Sequence, residues 1–129
     1  MDPDRRARLI AEATRSRENA VADRSGFSVG AAVETEDGRI FGGCNVENAT
    51  YGLTVCAERV AIWKALSEGA RRFRAVAVVT GADVPTPPCG ACRQILWEFA
   101  GDVPVVSATT GGRMKEYRMS ELLPEPFDL

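Results

Sequence analysis

Thr54-Val55-Cys56-Ala57-Glu58-Arg59, taken together with Pro88-Cys89-Gly90-Ala91-Cys92-Arg93-Gln94, is the stretch on which the reading of this chain turns. Thr54 can cap a helix running to about Ser67, with Val60, Ile62, Trp63, Ala65 and Leu66 as its apolar residues and Gly69 as its stop. Cys56 then falls in the first turn, where free N–H groups and the positive end of the helix dipole stabilise a thiolate. The loop Val84-Pro85-Thr86-Pro87-Pro88 cannot be helical. Cys89 and Cys92 therefore open a further helix reaching Phe99, with their thiols on one face at i, i+3. Two helix N-termini are expected to deliver three thiolates to one point.

Outward from there, Phe73 to Thr80 reads as a buried strand, because Ala75-Val76-Ala77-Val78-Val79 is continuously apolar and rich in β-branched residues. Toward the N-terminus, Phe27 to Val33 and Arg39 to Gly43 read as two antiparallel strands about the hairpin signal Asp37-Gly38. Gly30, Ala31 and Ala32 admit a close approach by another backbone or a flat ligand. Asp2-Pro3 opens a first helix to about Ala22, whose apolar face is Leu9, Ile10, Ala13, Ala20 and Val21. Asn45 to Gly52 reads as loop. Toward the C-terminus come a strand over Val103 to Ala108, a turn over Thr109 to Gly112 and a strand over Met114 to Met119. A short helix capped by Ser120 follows and ends at Pro124, leaving a tail that carries Phe127. This order predicts one domain spanning residues 1–129, an α/β fold with a sheet of about five strands and helices on its faces.

Composition narrows the function. The chain has 129 residues, 45% hydrophobic and 26% charged, without repeats or like-charge blocks, which suits one globular core. A net charge of −2 gives no electrostatic footprint for a polynucleotide, so a small-molecule substrate fits better. The start Met1-Asp2-Pro3-Asp4-Arg5-Arg6 lacks a signal peptide's apolar run, and nowhere do eighteen apolar residues stand together. The expectation is a cytoplasmic protein without membrane contact. In a reducing compartment its four cysteines bind metal or react more often than they pair. Histidine is absent, which leaves thiolates and carboxylates as ligands.

A catalytic zinc commonly has three protein ligands and one open position, whereas a structural zinc is closed by four. Cys56, Cys89 and Cys92 supply three, and Glu58 stands two residues after the first of them, near enough to move protons at the open position without binding the metal. Three thiolates around Zn²⁺ leave a local charge of −1, and ionised Glu58 makes it −2. Arg59, at i+3 from Cys56, and Arg93, directly after Cys92, could offset that charge by donating hydrogen bonds to a ligand sulfur. Closing the site with Cys44 would make it structural. The eleven residues between Cys44 and Cys56, and the thirty-two between Cys56 and Cys89, match no finger or ribbon spacing, so Cys44 reads as a small buried hydrophobe.

The Cys-Ala-Glu and Pro-Cys-x-x-Cys segments match the three-cysteine variant of the zinc deaminase signature. With Phe27-Ser28-Val29-Gly30-Ala31-Ala32, Gly43-Cys44-Asn45-Val46-Glu47-Asn48-Ala49 and the adjoining Arg59 and Arg93-Gln94, the chain resembles the small, three-cysteine class of cytidine deaminases. The resemblance covers about Phe27 to Gln94 and, more loosely, reaches Phe127. It implies a three-layer α/β/α sandwich on a mixed five-stranded sheet, one zinc per chain, and a homotetramer whose sites are completed by neighbouring subunits. It also implies hydrolysis of cytidine and 2′-deoxycytidine to uridine and 2′-deoxyuridine with release of ammonia, a pyrimidine-salvage reaction. Residue by residue it makes Glu58 the proton shuttle and gives the ribose hydroxyls to Asn45 and Glu47. It sets Phe27 against the pyrimidine, assigns the base edge to the backbone of Ala57 and Cys89, and sends Phe127 into a neighbouring subunit's site. The chain departs from the family at Asp23-Arg24-Ser25-Gly26, where Pro-Tyr-Ser is common before the phenylalanine. Alternatives are a deaminase of another 4-aminopyrimidine nucleoside, of the blasticidin S type, and a non-catalytic zinc-stabilised module. A polynucleotide editor is disfavoured by the acidic balance.

Overall fold

The structure is a computed structural model and describes residues 1–128. At its centre lies the strand expected from the Val-rich run, β3 (Phe73–Thr80), whose last six residues are all buried. It is flanked by β1 (Val29–Thr35) and β4 (Pro104–Thr109), with β2 (Ile40–Cys44) and β5 (Met114–Arg118) as edges, in the order β2-β1-β3-β4-β5. The pairing of β3 with β4 is parallel and the other three pairings are antiparallel, so the sheet is mixed. The turn between β1 and β2 places Gly38 at φ +92°, a conformation that a side chain would strain. This is the hairpin that Asp37-Gly38 predicts.

Period-two alternation distributes the sheet between two cores. Ala31, Val33, Val76 and Val105 face α2 (Ala57–Ser67) and α3 (Gly90–Ala100), where they meet Ala61, Ile62 and Leu96. Ala32, Ala75, Ala77, Val79 and Val106 face Leu9 and Ala13 of α1 (Pro3–Arg17). Helices thus cover both faces, giving the three-layer α/β/α sandwich. Each fully buried Leu, Ile or Val here contributes about 1.5–3 kcal/mol of transfer free energy. A short α4 (Met119–Leu122) buries Met119 and Leu122 beside α3. Among the described residues no helix is long and apolar enough to cross a membrane.

Small residues fix how closely the helices approach. A Cβ built on Gly43 of β2 would lie 2.5 Å from Ala61 N and 2.8 Å from Ala57 O, so α2 rests on the strand with no room for a methyl. The backbone that comes close at Gly30 is likewise a helix, because a Cβ there would meet Ala13 O of α1.

Several boundaries differ from the sequence reading. The first helix ends at Arg17, not near Ala22: Glu18 N and Ala20 N close the last turn, and Val21 leaves the helix to bridge Val46. Ser120 does not cap the last helix. Arg118 holds that position, and Ser120 N donates to Asp102 Oδ1 at 2.8 Å. In α2, Val60 and Trp63 lie off the buried stripe, which runs through Ala57, Glu58, Ala61, Ile62 and Ala65.

Candidate metal and substrate site

Thr54 was the expected helix cap, but it is extended at φ −61°, ψ 135°, and Val55 after it exchanges two 3.0 Å backbone hydrogen bonds with Val46. The chain cannot turn into a helix until that bridge is left behind. Cys56 is therefore itself the N-cap residue of α2, at φ −72°, ψ 153°, and not a member of its first turn. Cys89 occupies the same place at the start of α3, at φ −67°, ψ 167°. Neither sulfur caps its own helix, so both turn toward the common point, where Cys92 joins them from the first turn of α3.

The three Sγ atoms lie within 4.8 Å of one another, and those of Cys56 and Cys89 are 3.9 Å apart. Zn–S bonds of about 2.3 Å at tetrahedral angles require sulfurs about 3.8 Å apart. The donor set therefore fits zinc in size as well as in chemistry. Cys44, at the end of β2, is not part of the group, which leaves the set one ligand short of a closed structural site. Cys92 is fully buried, Cys56 partly so and Cys89 exposed, so the cluster opens to one side.

Charge in this corner is crowded. A hydrogen bond from Cys92 is the main cause that pulls the Cys56 thiol down to about 5, and Arg59 adds to it. The same bond, with burial, pushes the Cys92 thiol up. One cation already serves the sulfurs: Arg59 Nη2 donates to Cys56 Sγ at 3.4 Å, with its guanidinium 5.9 Å from the ring centre of Trp63. Arg93 does not share that role. Its Nε donates to Pro88 O at 2.7 Å and its Nη1 to Leu122 O at 2.9 Å, tying the proline loop to the last helix in place of a sulfur. Glu58, 4% exposed, has its carboxyl raised to about 7, chiefly by burial.

A cavity of about 260 Å³ adjoins the thiols. Cys56, Ala57, Glu58 and Cys89 form part of its wall, with Phe27, Asn45 and Glu47 also lining it. The segment Asn45 to Glu47 is no free loop. Asn45 O and Glu47 N pair with Val21, and Val46 pairs with Val55, so this segment runs extended between two others. Buried Asn45 braces the strand entry, accepting from Val29 N at 2.9 Å and donating to Phe27 O at 2.9 Å. Glu47 Oε1 accepts from Arg24 N and Ser25 N at 2.9 Å each, and Oε2 accepts from Ser25 Oγ. The Ser25 hydroxyl is the first cause that holds the Glu47 carboxyl below its usual range. Arg24 itself stands over Tyr51, 5.8 Å from the ring centre.

Five of the expected substrate contacts thus divide. Phe27, Asn45, Glu47 and Ala57 line one cavity with the thiols, whereas Phe127 is 71% exposed and lies elsewhere on its own chain. Ser25, Val55, Thr54 and Pro87 also line it, and the sequence reading gave none of them a substrate role. Ser25 was legible only as part of an unusual turn before Phe27.

Residues 3–108 match the family model described as the cytidine and deoxycytidylate deaminase zinc-binding region. The chain is 48% identical over 121 residues to a cytidine deaminase of Sporosarcina psychrophila, covering 93% of this chain and 89% of that protein. It is 49% identical over 123 residues to one of Halalkalibacterium halodurans, covering 95% and 93%. The crystal structure of cytidine deaminase from Burkholderia pseudomallei superposes with a TM-score of 0.92 at 45% identity, covering 98% of this chain and all of that one.

Proposed function

Because the chain belongs to the family of cytidine and deoxycytidylate deaminases, we propose that it hydrolyses cytidine and 2′-deoxycytidine to uridine and 2′-deoxyuridine, releasing ammonia. The observation that carries this reading is the three-thiol cluster opening into a cavity that also contains a buried carboxyl, Glu58.

Cys56, Cys89 and Cys92 would hold the zinc. When bound, zinc supplies a Lewis acid that makes a water nucleophilic near neutral pH. Glu58 does the proton work. A carboxyl raised to about 7 is populated in both forms at neutral pH, which suits a group that must first take a proton and then return it. It accepts one proton from the attacking water as oxygen bonds to C4 and delivers it to N3; it then takes the remaining proton from the oxygen on C4 and gives it to the amino group, so that the C4–N bond breaks, C4=O forms and ammonia leaves. Arg59 stabilises the ligand charge through its hydrogen bond to Cys56.

The remaining pocket residues hold the nucleoside. Glu47, fixed by three donors from Arg24 and Ser25, and Asn45 beside it accept and donate hydrogen bonds at the sugar, while Phe27 packs on the pyrimidine. The free N–H groups that open α2 read the base edge beside Ala57. Phe127, uncovered in its own chain, would complete the pocket of a neighbouring copy in a homotetramer.

Purified protein incubated with cytidine, with the ultraviolet change from cytosine to uracil followed in time, tests the reading. Glu58→Ala should keep zinc and lose about 10²- to 10⁴-fold in kcat. A near-normal rate in that variant would remove the proton shuttle from Glu58. Turnover of blasticidin S but not of cytidine would move the substrate to another 4-aminopyrimidine nucleoside.

A further inference from the structure

Gln94 lies on α3, two residues after the thiol of Cys92, and the proposed reaction does not use it. Its amide makes two opposed hydrogen bonds to the backbone of one residue: Nε2 donates to Phe127 O at 2.8 Å, and Phe127 N donates to Oε1 at 3.0 Å. A neighbouring β-strand would offer the same pair of bonds. Here a side chain supplies them, and only glutamine among residues of this length both donates and accepts.

The tail between Pro124 and Asp128 has no regular structure, so ordering it costs backbone entropy that a single exposed hydrogen bond does not return. Two bonds to one residue fix that residue's direction. What they fix is an aromatic ring that is 71% exposed, beside Trp97 and Glu98 and outside the wall of its own chain's substrate cavity. That cavity meanwhile has an apolar mouth, with Phe27 40% exposed. A rigid backbone that presents an uncovered aromatic ring serves a second surface, and the chain's own cavity is an apolar surface in need of cover.

We propose that Gln94 is a positioning residue: its amide clamps the Phe127 backbone so that the ring is held ready to complete the substrate pocket of a second copy of this chain. The inference rests on the reading of Phe127 given above and adds the device that holds it. Because α3 also carries Cys89 and Cys92, the same helix holds the metal of one pocket and the aromatic wall of the next.

The test compares Gln94→Met, which keeps length and helix preference but neither bond, with Gln94→Glu, which keeps only the acceptor, and with Phe127→Ala. Gln94→Met should raise the KM for cytidine about tenfold with kcat within about twofold. Gln94→Glu should fall between it and the parent, and zinc content and melting temperature should stay unchanged in both. Gln94→Met combined with Phe127→Ala should be no worse than Phe127→Ala alone, since the clamp acts only through that ring. Hydrogen exchange at the Phe127 amide should speed up in Gln94→Met irrespective of turnover. A raised KM in Phe127→Ala with parent-like KM and exchange in Gln94→Met overturns the clamp and leaves the reading of Phe127 standing. A parent-like KM in Phe127→Ala overturns both.

Discussion

The floor of the pocket and its rim are built in different ways. The floor consists of helix starts pressed against the sheet: Cys92 is fully buried, Glu58 is 4% exposed, and α2 lies so close to β2 that Gly43 has no room for a methyl. The rim consists of extended segments and turns, with Phe27 40% exposed and Glu47 held by the exposed turn at Arg24 and Ser25. Rigid buried elements hold groups that carry charge through the reaction, where small displacements are costly. Exposed segments hold the groups that the proposed reaction assigns to the substrate. The floor should therefore govern kcat and the rim KM.

The strongest way to break that division is at the metal. Stripping zinc with a chelator should abolish turnover, and adding zinc back should restore it, as followed by the cytosine absorbance change and metal analysis. Full activity in metal-free protein would remove the thiol cluster from catalysis. At the rim, Glu47→Gln keeps an acceptor for Ser25 and Arg24 but loses the charge. It should raise the KM for cytidine by about 10- to 100-fold while leaving kcat nearly intact. A fall in kcat with unchanged KM would place Glu47 with the floor. Between the two lies Arg59, whose guanidinium touches a ligand sulfur from outside the cavity. Arg59→Gln should lower kcat/KM about tenfold with zinc retained, and unchanged kinetics would show that the thiolates need no such partner.

The smallest effect on activity belongs to a part of the molecule remote from the pocket. Glu34 is 1% exposed and bonded by Arg5 Nη2 at 2.9 Å and Arg74 Nη2 at 3.1 Å. Burial alone would raise its carboxyl, but the hydrogen bonds and charges of Arg74 and Arg5 outweigh it and hold the carboxyl below 4.5. A depressed carboxyl contributes stability that is fully present above the unfolded value and is lost as pH falls through the folded one. Urea midpoints should therefore drop below about pH 4.5 in the parent, whereas Glu34→Gln should be less stable at neutral pH and flatter across the acid range. Equal slopes in both proteins would remove Glu34 from the acid response.

Much of the floor could be read from the chain because its determinants are local. Cys89 and Cys92 share a helix face at i, i+3, the proline loop stops any earlier helix, and the Val-rich run can only be a buried strand. The rim was read through resemblance, and its supports were not read at all. The bridge between Val46 and Val55 that delays α2, and so makes Cys56 the cap, joins two short segments that carry no period. Arg93 was expected at a sulfur because it follows Cys92, yet its side chain meets Leu122 O, 29 positions away. The Gln94 clamp spans 33 positions.

The chain alone was enough for the elements and the α/β layering, for the Cys89 and Cys92 pair and for Glu58 beside Cys56, since apolar periodicity and spacing within one or two helical turns act over a few residues; Cys56 joined that pair, 33 positions away, through the deaminase signature. Where α2 begins, which arginine serves the sulfurs, how Ser25 and Arg24 brace Glu47 and what holds Phe127 all depend on the folded chain. Those contacts join residues far apart in the chain, and they exist only once the sheet has brought its helices and its tail together.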